Sequence, residues 1–226
     1  AGVMSESYQG VGPDFLPVEY AQKLEAFCRK HDIVLIMDEV QAGFGRSGKM
    51  FTFEHYGITP DLIACGKGIS SSLPLSAVIG RSDIMGMYPP GSMTSTHSAS
   101  PLCVTAAIEN LKLIHNEKLV ENAAAMGEIM MPALERIQKK YSERLGCVHG
   151  KGLVAGIQCV KPGTKTPDPE TALAINVKCF QKGLLMFSPV GIGGECLKIA
   201  PPLTINEEAM RESLAIFEEA CYEVLG

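Results

Sequence analysis

The sequence predicts an α/β fold: a wound, mostly parallel sheet followed by a second, smaller α/β layer. Three observations predict it. Near-continuous apolar runs at 33–37 and 61–64 read as strands covered on both faces, the pattern of parallel sheets. A helix-spaced segment separates an opening strand from the first run, as a parallel connection requires. From Arg144 onward the pattern changes to short strands set between two further helical stretches.

Residues 2–6 form the opening strand. Residues 17–31 begin at Pro17 and carry Tyr20, Leu24 and Phe27 at helical spacing with charges between them. Strands follow at 33–38, 61–66 and 76–80. The last comes after a Ser/Pro stretch too short for a crossover helix, so it is expected to run antiparallel to its neighbour. Residues 100–141 read as largely helical, with Ala106, Ala107, Leu111 and Ile114 on one face and Met126, Ile129, Met130, Leu134 and Ile137 continuing it; Pro132 starts or kinks a segment. Beyond that, strands are expected at 147–160, 184–188 and 196–200 and helices near 168–182 and 206–225, with 161–167 a surface loop by composition. The expected division is 1–117 and 118–226.

With 226 residues, 46% of them apolar and 20% charged, the chain can bury a real core. A net charge of -5 without a basic cluster argues against a nucleic-acid partner. Eight cysteines (28, 65, 103, 147, 159, 179, 196, 221) show no C-x-x-C spacing, which favours reduced, mostly buried thiols over a disulfide frame or a zinc site, and a cytoplasmic location. No apolar run approaches the roughly 20 residues of a membrane span, so no membrane partner is expected. The opening Ala1-Gly2-Val3-Met4 reads as a strand without an initiator methionine, and residues upstream of it are expected.

Asp38 ends the first apolar run, and Lys67 sits in Cys65-Gly66-Lys67-Gly68 just after the second. Open α/β sheets place ligand chemistry beyond the carboxyl ends of such strands. Glycines on both sides of a lysine let a planar ligand approach and let the amine shed hydration, which favours carbonyl capture. Taken singly, Asp38 also reads as a turn cap and Lys67 as a solvated loop lysine. A metal pair at Asp38-Glu39 is the weaker reading: no histidine or further carboxylate is spaced near them, and Glu39 would point to the opposite side of an extended backbone. Gly43-Phe44-Gly45-Arg46-Ser47-Gly48 matches G-x-G-x-x-G after a strand, but no helix can open there before Pro60, so these glycines read as a tight loop rather than a dinucleotide fingerprint.

The run Leu35-Ile36-Met37-Asp38-Glu39-Val40-Gln41-Ala42-Gly43-Phe44-Gly45-Arg46-Ser47-Gly48, followed by Pro60-Asp61-Leu62-Ile63-Ala64-Cys65-Gly66-Lys67-Gly68, resembles the signature of class III aminotransferases. The likeness continues through Pro74 to Arg81, Ser95 to Pro101 and Pro201-Pro202-Leu203-Thr204-Ile205, and so covers essentially the whole chain. It implies part of the large domain of a fold type I pyridoxal-phosphate enzyme (1–117) plus a C-terminal small α/β domain (118–226). By this resemblance Lys67 would hold pyridoxal 5'-phosphate as a Schiff base and then shuttle a proton, while Asp38 would keep the pyridine nitrogen protonated. Val40 would pack on the ring, Gln41 would reach its phenolic oxygen, and Thr96 would donate to the cofactor phosphate of a neighbouring subunit, which implies a homodimer. An amine donor and a 2-oxo acid acceptor are the implied substrates; a lyase, decarboxylase or aminomutase of the same fold is the alternative.

Two departures qualify the resemblance. Val11 follows Glu6-Ser7-Tyr8-Gln9-Gly10 where glutamate-using members carry a second glutamate, and Lys198 takes the place of an arginine before the C-terminal Pro-Leu-Thr. Lys198 can bind a carboxylate as a point charge, without the bidentate fork, or stand as an exposed strand-end lysine. No aromatic with a Gly-Thr phosphate loop precedes Asp38, so the chain is expected to be a C-terminal portion, to self-associate through an exposed sheet edge and to be weak or inactive in cofactor binding by itself.

Overall fold

The computed structural model describes residues 1–226, which divide into two compact units: Ala1–Tyr8 with Leu16–Val120, and Gln9–Phe15 with Glu121–Gly226. No helix is long and apolar enough to cross a membrane.

The first unit is built on a sheet of order β1-β2-β3-β4, comprising β1 (Gly2–Glu6), β2 (Val34–Asp38), β3 (Leu62–Cys65) and β4 (Ala77–Gly80). β1, β2 and β3 are parallel and β4 is antiparallel, as the short connection after Lys67 requires. The crossover α1 (Val18–Lys30) covers β2, but not with the face the spacing predicts. Tyr20 and Phe27 are 54% and 52% exposed, and Ala21 and Cys28 are buried instead. Leu24 is half-buried on the same face as Ala21 and Cys28, so the buried stripe is turned away from the one that Tyr20 and Phe27 mark.

Asp61 ties this layer together. Its buried carboxylate accepts Arg29 (2.5 Å), Arg81 (2.9 Å) and the Leu35 backbone N–H (2.8 Å), joining α1, β2 and the residue after β4. α2 (Ser82–Met85) and α3 (Pro101–Asn116) follow, and the Asn110 amide of α3 donates to the carbonyls of Gly68 (2.8 Å) and Ile69 (3.2 Å). The expected continuous helical face breaks at Glu117 and Lys118, where Lys118 has φ 52° and α4 (Leu119–Lys140) begins afresh; Leu111 is exposed. Pro132 lies inside α4.

In the second unit, β5 (Leu145–Lys151), β6 (Val154–Cys159) and β7 (Cys196–Ile199) form an antiparallel sheet, packed by α4, α5 (Pro169–Gln181) and α6 (Glu207–Leu225). Met130, Leu134, Ile137, Leu145, Ile157, Leu197 and Phe217 are the large members of its core, with Ala172, Cys179, Ala220 and Cys221 letting helices pack closely. The starts of α5 and α6 are chemically marked. Asp168 accepts the Thr171 N–H with Pro169 next, and Asn206 accepts the Ala209 N–H at 2.9 Å. Gly156 of β6 is packed under the strap 9–15, since a Cβ there would lie 2.8 Å from Pro13. The strand expected at 184–188 does not form. Its backbone finds no ladder partner in the chain, and the Phe187 carbonyl takes its hydrogen bond from the Asn176 side chain. All eight cysteines are free and seven are buried, as their spacing predicts.

Candidate active site

Parallel register brings the two signature segments to one end of the sheet. Asp38 is paired with Ala64 across β2 and β3, so the residues following each strand leave from the same edge, and Lys67 comes three positions after Ala64. The Glu39 N–H bonds the Ala64 carbonyl at 2.9 Å, extending the ladder to the point where both chains turn. The glycines around Lys67 then let the two turns interlock. A Cβ on Gly66 would sit 3.2 Å from a Val40 methyl, and one on Gly68 would sit 3.2 Å from the Phe44 Cβ. Lys67 itself has φ 36° and is exposed. For a lysine this left-handed backbone costs about 1–3 kcal/mol and is typical of residues held for a purpose.

The turn after Asp38 leaves little of its backbone unbonded. One Asp38 oxygen accepts the Val40 N–H at 2.9 Å, and the other makes no hydrogen bond within the chain. The Gly43 N–H bonds the Glu39 carbonyl (2.9 Å), the Tyr8 hydroxyl bonds the Gln41 carbonyl (3.1 Å), and the Thr52 hydroxyl bonds the Ala42 carbonyl (2.9 Å). Beneath it lies Glu39, whose carboxylate is fully buried. It accepts the backbone N–H groups of Thr52 and Phe53, each at 2.9 Å, and the Ser7 hydroxyl. Burial pushes the Glu39 carboxyl up from its ordinary range, against the pull of those three donors.

One expectation needs correction, and one finding is new. The buried anion at this end is Glu39, while Asp38 is only half-buried. Lys67 is not desolvated by this chain: its side chain leaves the sheet end on a glycine-flanked turn, and nothing in these residues covers it. Asp38 and Glu39 also serve separate surroundings rather than one ion, because alternation along β2 sends their side chains apart.

Of the other candidates, Val40 and Gln41 lie on the Asp38 turn, both half-buried. Thr96 lies in the exposed stretch before α3, where Ser95 and Ser98 bond each other through their hydroxyls at 3.0 Å. Lys198, on β7 of the second unit, donates to the Gly10 carbonyl and stands 6.0 Å from the centre of the Phe187 ring, so it is not a bare surface lysine. It borders an apolar cavity of about 530 Å³ with Leu184, Met186, Phe187, Met210 and Phe217. Sequence reading missed Ser7, Tyr8 and Thr52. Only the period-two alternation that turns Glu39 inward hinted that polar partners wait there.

A family model described as aminotransferase class-III matches residues 1–221. The chain belongs to the class III aminotransferase family. Relatives within reach of this class III chain include the alanine/serine racemase of Pyrococcus horikoshii, 38% identical over 226 residues (100% of this chain, 47% of the relative). The 5-aminovalerate aminotransferase DavT of Pseudomonas putida is 36% identical, matching 99% of this chain and 52% of its own. Among solved structures, an S-selective transaminase from Arthrobacter sp. superposes with a TM-score of 0.89 at 31% identity, covering 99% of this chain and 51% of that one. Ornithine aminotransferase from Plasmodium yoelii gives 0.87 at 32%, covering 98% and 56%. The class III chain therefore spans about half the length of the relatives it matches.

The residues present fit the pyridoxal phosphate that this family implies. A glycine-flanked lysine and a carboxylate with one oxygen open stand at the ends of adjacent parallel strands, with Val40 packed on Gly66 between the two segments.

Proposed function

We propose that this chain is the lysine-bearing portion of a pyridoxal-phosphate aminotransferase that moves an amino group from an amine or amino acid to a 2-oxo acid. Residues 1–117 would be the C-terminal part of the cofactor-binding large domain and 118–226 the small domain. The observation that carries the reading is the interlock of the Asp38 and Lys67 turns through Gly66 and Gly68. When bound, pyridoxal phosphate supplies an aldehyde that amines capture and a protonated ring that accepts an electron pair.

Lys67 would attach the group through Nζ and, once displaced by substrate, carry a proton as base and then acid. Asp38 would offer its open oxygen to the ring nitrogen, and the anion favours the protonated ring. Val40 would support the ring face, and Gln41 would reach the phenolic oxygen. Thr96 would donate to a phosphate bound by a second copy, which makes the working form a homodimer. Lys198 would be a point-charge partner for a substrate carboxylate. A cytoplasmic location fits eight free thiols.

The test is borohydride reduction with pyridoxal phosphate followed by peptide mass mapping. A pyridoxyl adduct on Lys67, lost in Lys67→Ala, is expected; an adduct spread over surface lysines, unchanged in Lys67→Ala, would overturn the assignment. A second reading, racemisation, is favoured by the relatedness to an alanine/serine racemase. Loss of optical activity from L-alanine without any 2-oxo acid would select it over transfer.

A further inference from the structure

Glu39 is a fully buried carboxylate held by neutral donors, two backbone N–H groups and one hydroxyl. Burying an anion without a cation is costly, so its retention calls for a role that a neutral side chain of the same size could not fill. Its location supplies one. Ser7 follows β1, Thr52 and Phe53 open the short helical turn Thr52–Tyr56, and the Glu39 amide is bonded to β3. The residue next to Asp38 is thus held by three separate segments. Ser7 is itself held by the Tyr56 hydroxyl on its carbonyl, and Thr52 by Ser47 and Ala42 through its own hydroxyl.

We infer that Glu39 is a positioning residue for Asp38, clamping the start of the turn so that the Asp38 carboxylate keeps one oxygen on the Val40 N–H and the other facing the ligand side. This rests on the proposed role of Asp38 toward the cofactor ring. A glutamine at 39 keeps the shape but must turn an NH2 group toward one of the backbone N–H donors, leaving a buried donor unpaired. The loosened turn then releases the Asp38 carboxylate from Val40.

Amide hydrogen exchange of the cofactor-free chain tests the clamp directly. In Glu39→Gln the Val40 amide should exchange at least about tenfold faster, while amides of Ile36 and Ile63 within the sheet keep their parent rates. Should Glu39→Gln unfold, Ser7→Ala keeps the charge and removes one donor, and about threefold faster exchange at Val40 is expected there. Unchanged Val40 protection in the folded variant overturns the inference. The link to the cofactor is read from the ring-nitrogen NMR signal of 15N-labelled pyridoxal phosphate. It should report a protonated ring in the parent and a shift toward the unprotonated form in Glu39→Gln; a protonated signal in both also overturns the inference. Faster Val40 exchange in the variants, with a bound ring that reads unprotonated even in the parent, would keep the clamp and sink the cofactor reading of Asp38.

Discussion

Gly66 carries more of the site than its lack of a side chain suggests. Its backbone is extended (φ -170°), which any residue can adopt, so the requirement for glycine is space: a methyl there meets Val40 at 3.2 Å and 3.5 Å. Gly66→Ala should cost about 1–2 kcal/mol by overpacking. In the same chain, Val40→Ala should relieve most of that, so urea unfolding of the two single variants and the double should be clearly non-additive. Additive losses would mean that Val40 and the lysine turn are not in contact. Sequence alone placed Asp38 and Lys67 at strand ends, because apolar runs end visibly. It could not say that Glu39, not Asp38, is the buried charge, since that depends on Ser7 and Thr52 arriving from other parts of the chain.

At the scale of elements, Asp61 shows how the sheet is fastened to what surrounds it. Burial works to raise its carboxyl, but the Leu35 N–H, Arg81 and Arg29 outweigh that and hold it below the ordinary carboxylate range. Because the folded value lies below the unfolded one (about 3.9), its contribution is complete above the unfolded value and is lost as pH falls through the folded one. Asp61→Asn should lower stability at neutral pH by about 1–3 kcal/mol and flatten the acid side of the stability curve. Thermal melts of both chains between about pH 2 and pH 7 check this; parallel curves would remove Asp61 from the account. The elements themselves were largely legible. Pro17, Pro101 and Pro169 mark helix starts, and the short link to residues 77–80 fixed the antiparallel strand. The stretch 184–188 was not, because a short apolar run (Leu184 to Phe187) says nothing of whether a partner strand is present to take its hydrogen bonds.

For the molecule as a whole, the first sheet leaves an apolar edge uncovered. Val78 and Ile79, adjacent on the edge strand β4 and therefore on opposite faces, are 51% and 49% exposed, although sheets of parallel type are normally covered on both sides. An uncovered apolar edge pairs with other chains. Light scattering should show mass rising with protein concentration, and Val78→Lys should lower it at equal concentration; a monodisperse monomer across the range would contradict this. The same reading accords with a chain that spans about half the length of its relatives.

Composition, apolar runs and the signature around Asp38 and Lys67 determined the fold class, the family and the candidate residues, because each of these is written in local order along the chain. The tertiary structure decided which charge is buried, which glycine makes room for which side chain, and which extended segment becomes a strand. Those outcomes depend on partners brought together from distant positions, Ser7 with Thr52, Val40 with Gly66, Lys198 with Gly10, and no local pattern encodes who will be standing opposite.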